Sequence, residues 1–301
     1  MIQQLLQVKQ EKSLKSYTST KEWSIDYYEL TKDKPPFEKA LFGGFTCQQF
    51  SFAFMAGYQA ALEKMFPSIA PNELKALCVS EEKGGHPKYI QTSLVDKQIT
   101  GLKTYITAGS DAEHLLVLCK TKEQTTNGKP LLKMVHLPRT APNIAITNFE
   151  LPFMKDVKHG KLALNNTTIT TEQILEGDGF VDYAKPFRTL EDVLVATAYQ
   201  AMLLRQAIDH NWEEGVRDKL LLNLYILKNL LALPPSDKET HLLLATNEQN
   251  LETLLPSIES NIAKHSSTQF KADWALNKRL ISLGEKLKEI RLSKARAVLF
   301  G

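Results

Sequence analysis

Cys78–Pro87 reads CVSEEKGGHP and Gly101–Gly109 reads GLKTYITAG, and the fold turns on these two stretches. Each couples a short extended run to a turn, at Gly84-Gly85 in the first and Ala108-Gly109 in the second. Alternation predicts that Tyr105 and Thr107 share one face of a strand. The surrounding region, from Ala76 to about Asn166, has the same texture. Ser93–Ile99, Thr104–Ile106, His114–Cys119, Leu131–Leu137, Ile144–Thr147 and Lys161–Leu164 are short extended runs. Turn signals separate them at Asn127-Gly128, Ala141-Pro142-Asn143 and His159-Gly160. Several short strands at this spacing predict a barrel or sandwich.

The flanking zones have a different period. Before residue 75, Lys32–Pro36 (KDKPP) breaks the chain, because two prolines remove donors and bias Lys34 away from the helical region. Phe50, Phe54, Tyr58, Ala61 and Met65 then recur at three and four, which is a helix face. Gly57 within that face costs about 1 kcal/mol relative to alanine and predicts close packing against another element. After Gly177-Asp178-Gly179 the period is again helical, with helices expected near 182–211, 214–232, 238–264 and 270–298. Leu276, Leu280, Leu283, Leu287 and Ile290 repeat at four-three-four-three, a narrow seam suited to a bundle. Leu251, Leu254, Leu255, Ile258 and Ile262 form a second apolar face.

Composition excludes several classes. A net charge of +3 over 301 residues gives no electrostatic footprint for nucleic acid. The basic cluster from Lys278 to Arg296 is interleaved with Glu285 and Glu289 and reads as a solvated helix face. Cys47, Cys78 and Cys119 are widely spaced among apolar neighbours, so buried free thiols are expected and no metal site. No apolar run approaches the roughly 20 residues that span a bilayer. The start of the chain lacks a signal-peptide core, and a cytoplasmic protein is expected.

The two opening stretches resemble motifs of the acyl-CoA dehydrogenase family. Cys78-Val79-Ser80-Glu81 is similar to the start of its T-E-P-x-A-G-S-D turn, with Ser80 at the family's hydroxyl position. Gly101–Gly109 is similar to its G-x-K-x-x-I-T-N-G hairpin strand, and Asp111–Lys120 to the strand that follows. Lys161–Arg188 resembles the segment leading from the family's barrel into its bundle. The resemblance implies a short, divergent member with three parts: a helical N-terminal segment over 1–75, a middle β-barrel over 76–180 and a C-terminal four-helix bundle over 181–301. It implies FAD, with Ser80, Tyr105 and Thr107 on the flavin and Arg188 near an acyl thioester, as acyl-CoA or on an acyl carrier. It further implies a homo-oligomer, as bundle faces in this family commonly pair.

The chain also departs from the pattern. His86-Pro87 stands where the family has Ser-Asp, which makes His86 a candidate substrate contact. Asp209–Arg217 (DHNWEEGVR) lacks the R-x-x-F-G segment that reaches the flavin pyrophosphate. Phe187 occupies one of the family's two positions for a catalytic glutamate, and no Y-E-G-T loop supplies the other. The reaction removes an α-proton as hydride leaves the β-carbon, so a carboxylate is required. Glu191, one helical turn after Arg188, is the nearby substitute. The alternative expectation is a relative without redox turnover that binds an acyl thioester or a protein.

Overall fold

The computed structural model describes residues 1–126, 128–281 and 285–301. They divide into two compact units. A sheet unit contains residues 19–24 and 65–188, and a helical unit contains 1–18, 25–64 and 189–301. The divisions expected at 75/76 and 180/181 follow the change in sequence texture. The compact units instead place the first and last helices of the chain together, because the N-terminal helices bury their faces on C-terminal ones.

The sheet unit holds seven strands among the described residues. These are β1 (Lys75–Cys78), β2 (Ser93–Val95), β3 (Gln98–Thr107), β4 (His114–Gln124), β5 (Pro130–Pro138), β6 (Ile144–Phe149) and β7 (His159–Thr168). β4 carries β1 and then β2 in parallel along one edge and β5 antiparallel along the other. From β2 the sheet continues antiparallel through β3 and β7 to β6. The sheet is therefore mixed, with β4 at its most buried position: Leu115 to Cys119 are all fully enclosed.

Two expectations about these strands need correction. The run Ser93–Ile99 is not one strand. Asp96 and Lys97 both adopt positive φ, at 49° and 60°, and make the two-residue turn of the β2–β3 hairpin. His159-Gly160 is not a turn either but the first pair of β7, where Gly160 pairs with both Ile106 and Asn148.

In the helical unit, α1 (Ile2–Glu11), α2 (Thr20–Thr31, in this unit from residue 25), α3 (Pro36–Phe45) and α4 (Phe50–Met65) precede the sheet in sequence. After it come α5 (Lys185–Asp209), α6 (Glu214–Leu230), α7 (Lys238–His265), α8 (Thr268–Asn277) and α9 (Glu285–Leu299). Gly57 meets the packing its cost implied: a Cβ there would lie 2.5 Å from Val195 Cα. At Gly44 a Cβ would reach the Ala198 carbonyl oxygen at 2.1 Å. Both α3 and α4 therefore bring their backbones directly onto that of α5. Phe50, Phe52, Met55, Ala60 and Leu62 of α4 are fully buried as a result.

The last expected helix, 270–298, is broken. α8 ends at Asn277, a weak helix former whose side-chain amide donates back to Asp273, and a 3-10 turn covers Lys278–Leu280. The leucine seam is consequently not a single face. Leu280 is buried, Leu276 and Ile290 are exposed, and Leu283 with the Leu287 side chain, like Asn127, lies outside the described residues. The basic cluster is also not a simple solvated face. Lys288 pairs with Glu248 at 2.6 Å and Arg291 with Asp192, tying α9 to α7 and α5. Among the described residues no helix is long and apolar enough to cross a membrane.

Candidate functional site

The two stretches quoted first are joined in the sheet unit by a buried ion pair. β1 delivers Val79 and Ser80 to a tight turn in which the Glu81 and Gly84 backbones bond to each other in both directions, at 3.3 and 2.8 Å. Lys103 comes from β3 and has no exposed surface. Its ammonium donates to Glu81 Oε1 at 2.8 Å and to the Val79 carbonyl at 3.3 Å. The backbone N–H groups of Gln91 and Thr92 donate to the same carboxylate, at 2.7 and 3.0 Å. Burial alone would push the Glu81 carboxyl up, but Lys103 and these two amides together hold it below its ordinary value. The Thr104 N–H then donates to the Ser80 carbonyl at 2.8 Å.

This pair was not foreseen, although a signal existed. Lys103 stands on the inward side of a strand, two and four residues from Gly101 and Ile99. A lysine there needs a buried partner. Cys78 and Cys119 lie close enough to the ammonium to feel it. Burial nevertheless pushes both thiols up to about 12, so neither is a nucleophile.

Immediately after Lys103 the β3–β7 register slips: Lys103 pairs with Leu162, and Ile106 with Gly160. One extra residue in β3 makes a bulge, and Tyr105 within it has φ of +56°. The bulge resets the alternation. Counted from Ile99, Tyr105 and Thr107 would have faced inward. Instead Thr104 and Ile106 are buried, Tyr105 is 62% exposed and Thr107 is half-buried beside it on the outward side. The Tyr105 ring stands edge-on to Phe149 of β6, with centroids 5.7 Å apart. Positive φ at a tyrosine is uncommon and costs of order 1 kcal/mol or more, a strain that clusters at functional sites.

Arg188, in the first turn of α5, reaches the Ser80 turn. A Cβ built on Gly85 would lie 3.3 Å from both Arg188 Nη2 and Ser80 Oγ. The structure thus brings together Ser80, Arg188 and, through Thr104, the strand carrying Tyr105 and Thr107. His86 does not join them. It is exposed, and its Nδ1 accepts from the Lys88 N–H at 3.3 Å while its ring faces Tyr89, so it caps its own 3-10 turn. Glu191 belongs to the helical unit, half-buried on α5. Burial chiefly, and then Asp273 and Glu191, hold the Tyr199 hydroxyl protonated well above its usual range. Phe187 is buried, and Arg217 lies 3.9 Å from Glu214. Among the described residues no group of three or more His, Cys, Asp or Glu could hold a metal ion.

The fold has known counterparts. No family model matches the chain, and no curated protein matches it at the level of sequence. Solved structures do match. The chain has the fold of acyl-CoA dehydrogenase-family flavoproteins. It is similar to butyryl-CoA dehydrogenase from Megasphaera elsdenii, with TM-score 0.63 and 11% identity over 86% of this chain and 80% of that one. It is also similar to PigA with FAD and proline (TM-score 0.64, 12% identity, 99% and 92% of the two chains). The prolyl acyl carrier protein oxidase AnaB matches with TM-score 0.62 and 13% identity, over 87% of this chain and 84% of that one.

Proposed function

We propose that this protein is an acyl-CoA dehydrogenase-like flavoprotein that binds FAD and oxidises an acyl thioester between its α- and β-carbons. One observation carries the reading: the bulge in β3 turns Tyr105 and Thr107 outward, on the strand that is hydrogen-bonded to the Ser80 turn. The Ser80 hydroxyl and the Arg188 guanidinium stand together at Gly85, each 3.3 Å from a Cβ built there, and supply polar groups beside that strand. Ser80, Tyr105 and Thr107 would hold the cofactor, with the aromatic ring covering an apolar face and the hydroxyls bonding its polar atoms. Bound FAD supplies the two-electron acceptor for hydride leaving the β-carbon. Arg188 orients the thioester, and Glu191 takes the α-proton. The neighbours' names support both a CoA thioester and a carrier-bound acyl group as the substrate class.

In this reading the mixed sheet is the family's middle barrel over 76–180, flanked by a helical N-terminal part over 1–75 and a four-helix bundle over 181–301 whose faces pair in a homo-oligomer. We place the protein in the cytoplasm. A second reading has its own support, because the buried Phe187 stands at a position where the family carries its base. There the protein binds an acyl thioester or a protein partner without redox turnover.

The visible spectrum with and without added FAD tests the first reading. A bound flavin that bleaches anaerobically on addition of an acyl-CoA supports the dehydrogenase. A chain that takes up no FAD at micromolar concentration rejects it. Bound flavin with no bleaching, unchanged in Glu191→Gln, favours the second reading. Thr107→Val is expected to weaken FAD binding roughly tenfold, the worth of one hydrogen bond.

A further inference from the structure

We propose that His159 is a positioning residue for the Tyr105–Thr107 face, holding in place the Phe149 ring against which Tyr105 stands. The proposal rests on the flavin reading only for the identity of what that face binds. Strand pairing puts the residue there. His159 of β7 lies opposite Thr107 of β3 on one side and Phe149 of β6 on the other. Directly opposed residues project from the same side of a sheet, so Thr107, His159 and Phe149 form one row across three strands. Burial gives the same answer. Along β7, Lys161 and Ala163 are exposed while Leu162 and Leu164 are buried, and alternation assigns His159 to the outward set. Yet His159 is only 5% exposed, on the face where Tyr105 stands open.

Its contacts fix the ring. The Val157 N–H closes a turn onto the Met154 carbonyl at 3.1 Å, and the Val157 carbonyl lies 3.0 Å from His159 Nδ1. A carbonyl only accepts, so Nδ1 carries the proton. The imidazole meets the Phe149 ring with centroids 6.5 Å apart, and Phe149 meets Tyr105 at 5.7 Å, nearly perpendicular. An imidazole bonded to backbone on one edge is a fixed wall for Phe149, and Phe149 is the wall for Tyr105. Burial holds the His159 pKa below its ordinary value, against the opposing effect of the Val157 bond, so the neutral ring prevails at pH 7. The charged groups on the surrounding elements do not compensate a proton there. Lys158 pairs with Asp111 of the 3-10 turn Gly109–Asp111 at 2.7 Å, and Lys103 of β3 is turned inward to Glu81. Lys161 is exposed on β7, Glu150, Lys155 and Asp156 lie in the segment before it, and β6 carries no charge. None of them bonds the imidazole, whose one hydrogen bond goes to Val157. Protonation therefore places an uncompensated charge in an enclosed position, and the ring is driven toward water and away from Phe149.

Fluorine NMR of the intact chain labelled with 4-fluorophenylalanine tests this without any ligand, the Phe149 signal being assigned by its loss in Phe149→Leu. That signal should shift as the pH falls from about 7.5 to about 5, in step with the His159 ring protons and with a midpoint below about 6.5. It should stay still over the same range in His159→Phe, which keeps a ring but cannot titrate. A Phe149 signal that ignores His159 protonation, or that titrates unchanged in His159→Phe, overturns the proposal. Binding reads the consequence. FAD affinity of the native chain should fall by up to about tenfold per pH unit below the His159 midpoint, and by less than about twofold in His159→Phe. Equal falls in the two proteins, or tighter binding at low pH in the native one, overturn the proposal. A chain that takes up no FAD at any pH rejects the flavin reading instead, and the Phe149 titration then decides the positioning role by itself. Where His159→Phe does not fold, His159→Asn takes its place, since it also cannot titrate and keeps a donor for Val157.

Discussion

Lys103 Nζ lies 2.8 Å from Glu81 Oε1, and both side chains are shut off from solvent. The pair connects the turn bearing Ser80 to the strand bearing Tyr105. Breaking a buried ion pair by removing one partner typically costs about 3–5 kcal/mol, because the other charge is stranded. Lys103→Met should therefore lower the stability measured by urea denaturation by roughly that amount. The double variant Glu81→Gln with Lys103→Met should recover part of the loss, and a double variant no more stable than the single one would refute this account. The pH dependence has a definite sign. With Glu81 held below its ordinary pKa, its contribution is full above the unfolded value of about 4.3 and is lost as pH falls through the folded one.

His114 and His136 share a hydrogen bond at 2.8 Å, and the other nitrogen of His114 meets Glu73 at 2.6 Å. Burial, then His114 and Lys75, push the His136 pKa below its ordinary value. A depressed histidine favours its neutral form, so this contribution is present above about pH 6.5 and lost as pH falls through the folded pKa. The melting temperature should decline between neutral and mildly acidic pH, and the decline should be shallower in His136→Gln. An identical slope in both proteins would exclude His136 as its origin.

Gly44 and Gly57 predict steric failure of a different kind. Gly44→Ala drives a methyl into the Ala198 carbonyl oxygen, and Gly57→Ala into the backbone at Val195. Backbone cannot step aside as a side chain can, so losses at or above the roughly 1–3 kcal/mol usual for overpacking are expected. Gly215, near the start of α6, has nothing within 4 Å of a built Cβ. Gly215→Ala should stabilise by about 0.4–1 kcal/mol. Thermal melts of the three variants check the contrast.

Tyr105→Gly separates strain from function. Glycine relieves the positive φ of the bulge, while the lost edge contact with Phe149 costs about 0.5–1.5 kcal/mol. Stability should change by less than about 1 kcal/mol in either direction. Retention of FAD should fall sharply if the ring covers the cofactor. A large stability loss with unchanged FAD binding would make Tyr105 a packing residue.

The cysteines should be silent. All three are buried and outside any disulfide, and the Cys78 and Cys119 thiols are pushed up to about 12. A chromogenic disulfide reagent at pH 8 should label none in the native protein and three after denaturation. Rapid native labelling of Cys78 or Cys119 would contradict the buried environment described for them.

Local pattern carried the helix and strand zones because burial imposes a period on the sequence. The recurrence from Phe50 to Met65, the break at Lys32–Pro36 and the extended runs of β4 and β5 were all legible. Gly57 announced a close approach, though not that the partner was α5. The misread places share a cause. Asp96-Lys97 carries none of the glycine signal of a hairpin turn, yet its hydrogen-bonded neighbours fix it as one. Lys288 and Arg291 look solvated from charge interleaving alone, since their partners lie on helices far away in sequence.

For the two opening stretches the division is clear. Residue type and order by themselves determined that Cys78–Pro87 is a strand leading into a turn and that Gly101–Gly109 is a strand, and their resemblance to the family's motifs pointed to the fold. Only tertiary structure decided which way those residues face. A one-residue bulge, held beside the buried Lys103–Glu81 pair, turns Tyr105 and Thr107 out of the core. Only tertiary structure set Arg188 against Ser80 across Gly85, and left His86 to its own turn and Glu191 in the helical unit. The physical reason is that alternation propagates along a strand only until a register shift. A shift belongs to the pairing of two strands, and neither sequence contains it alone.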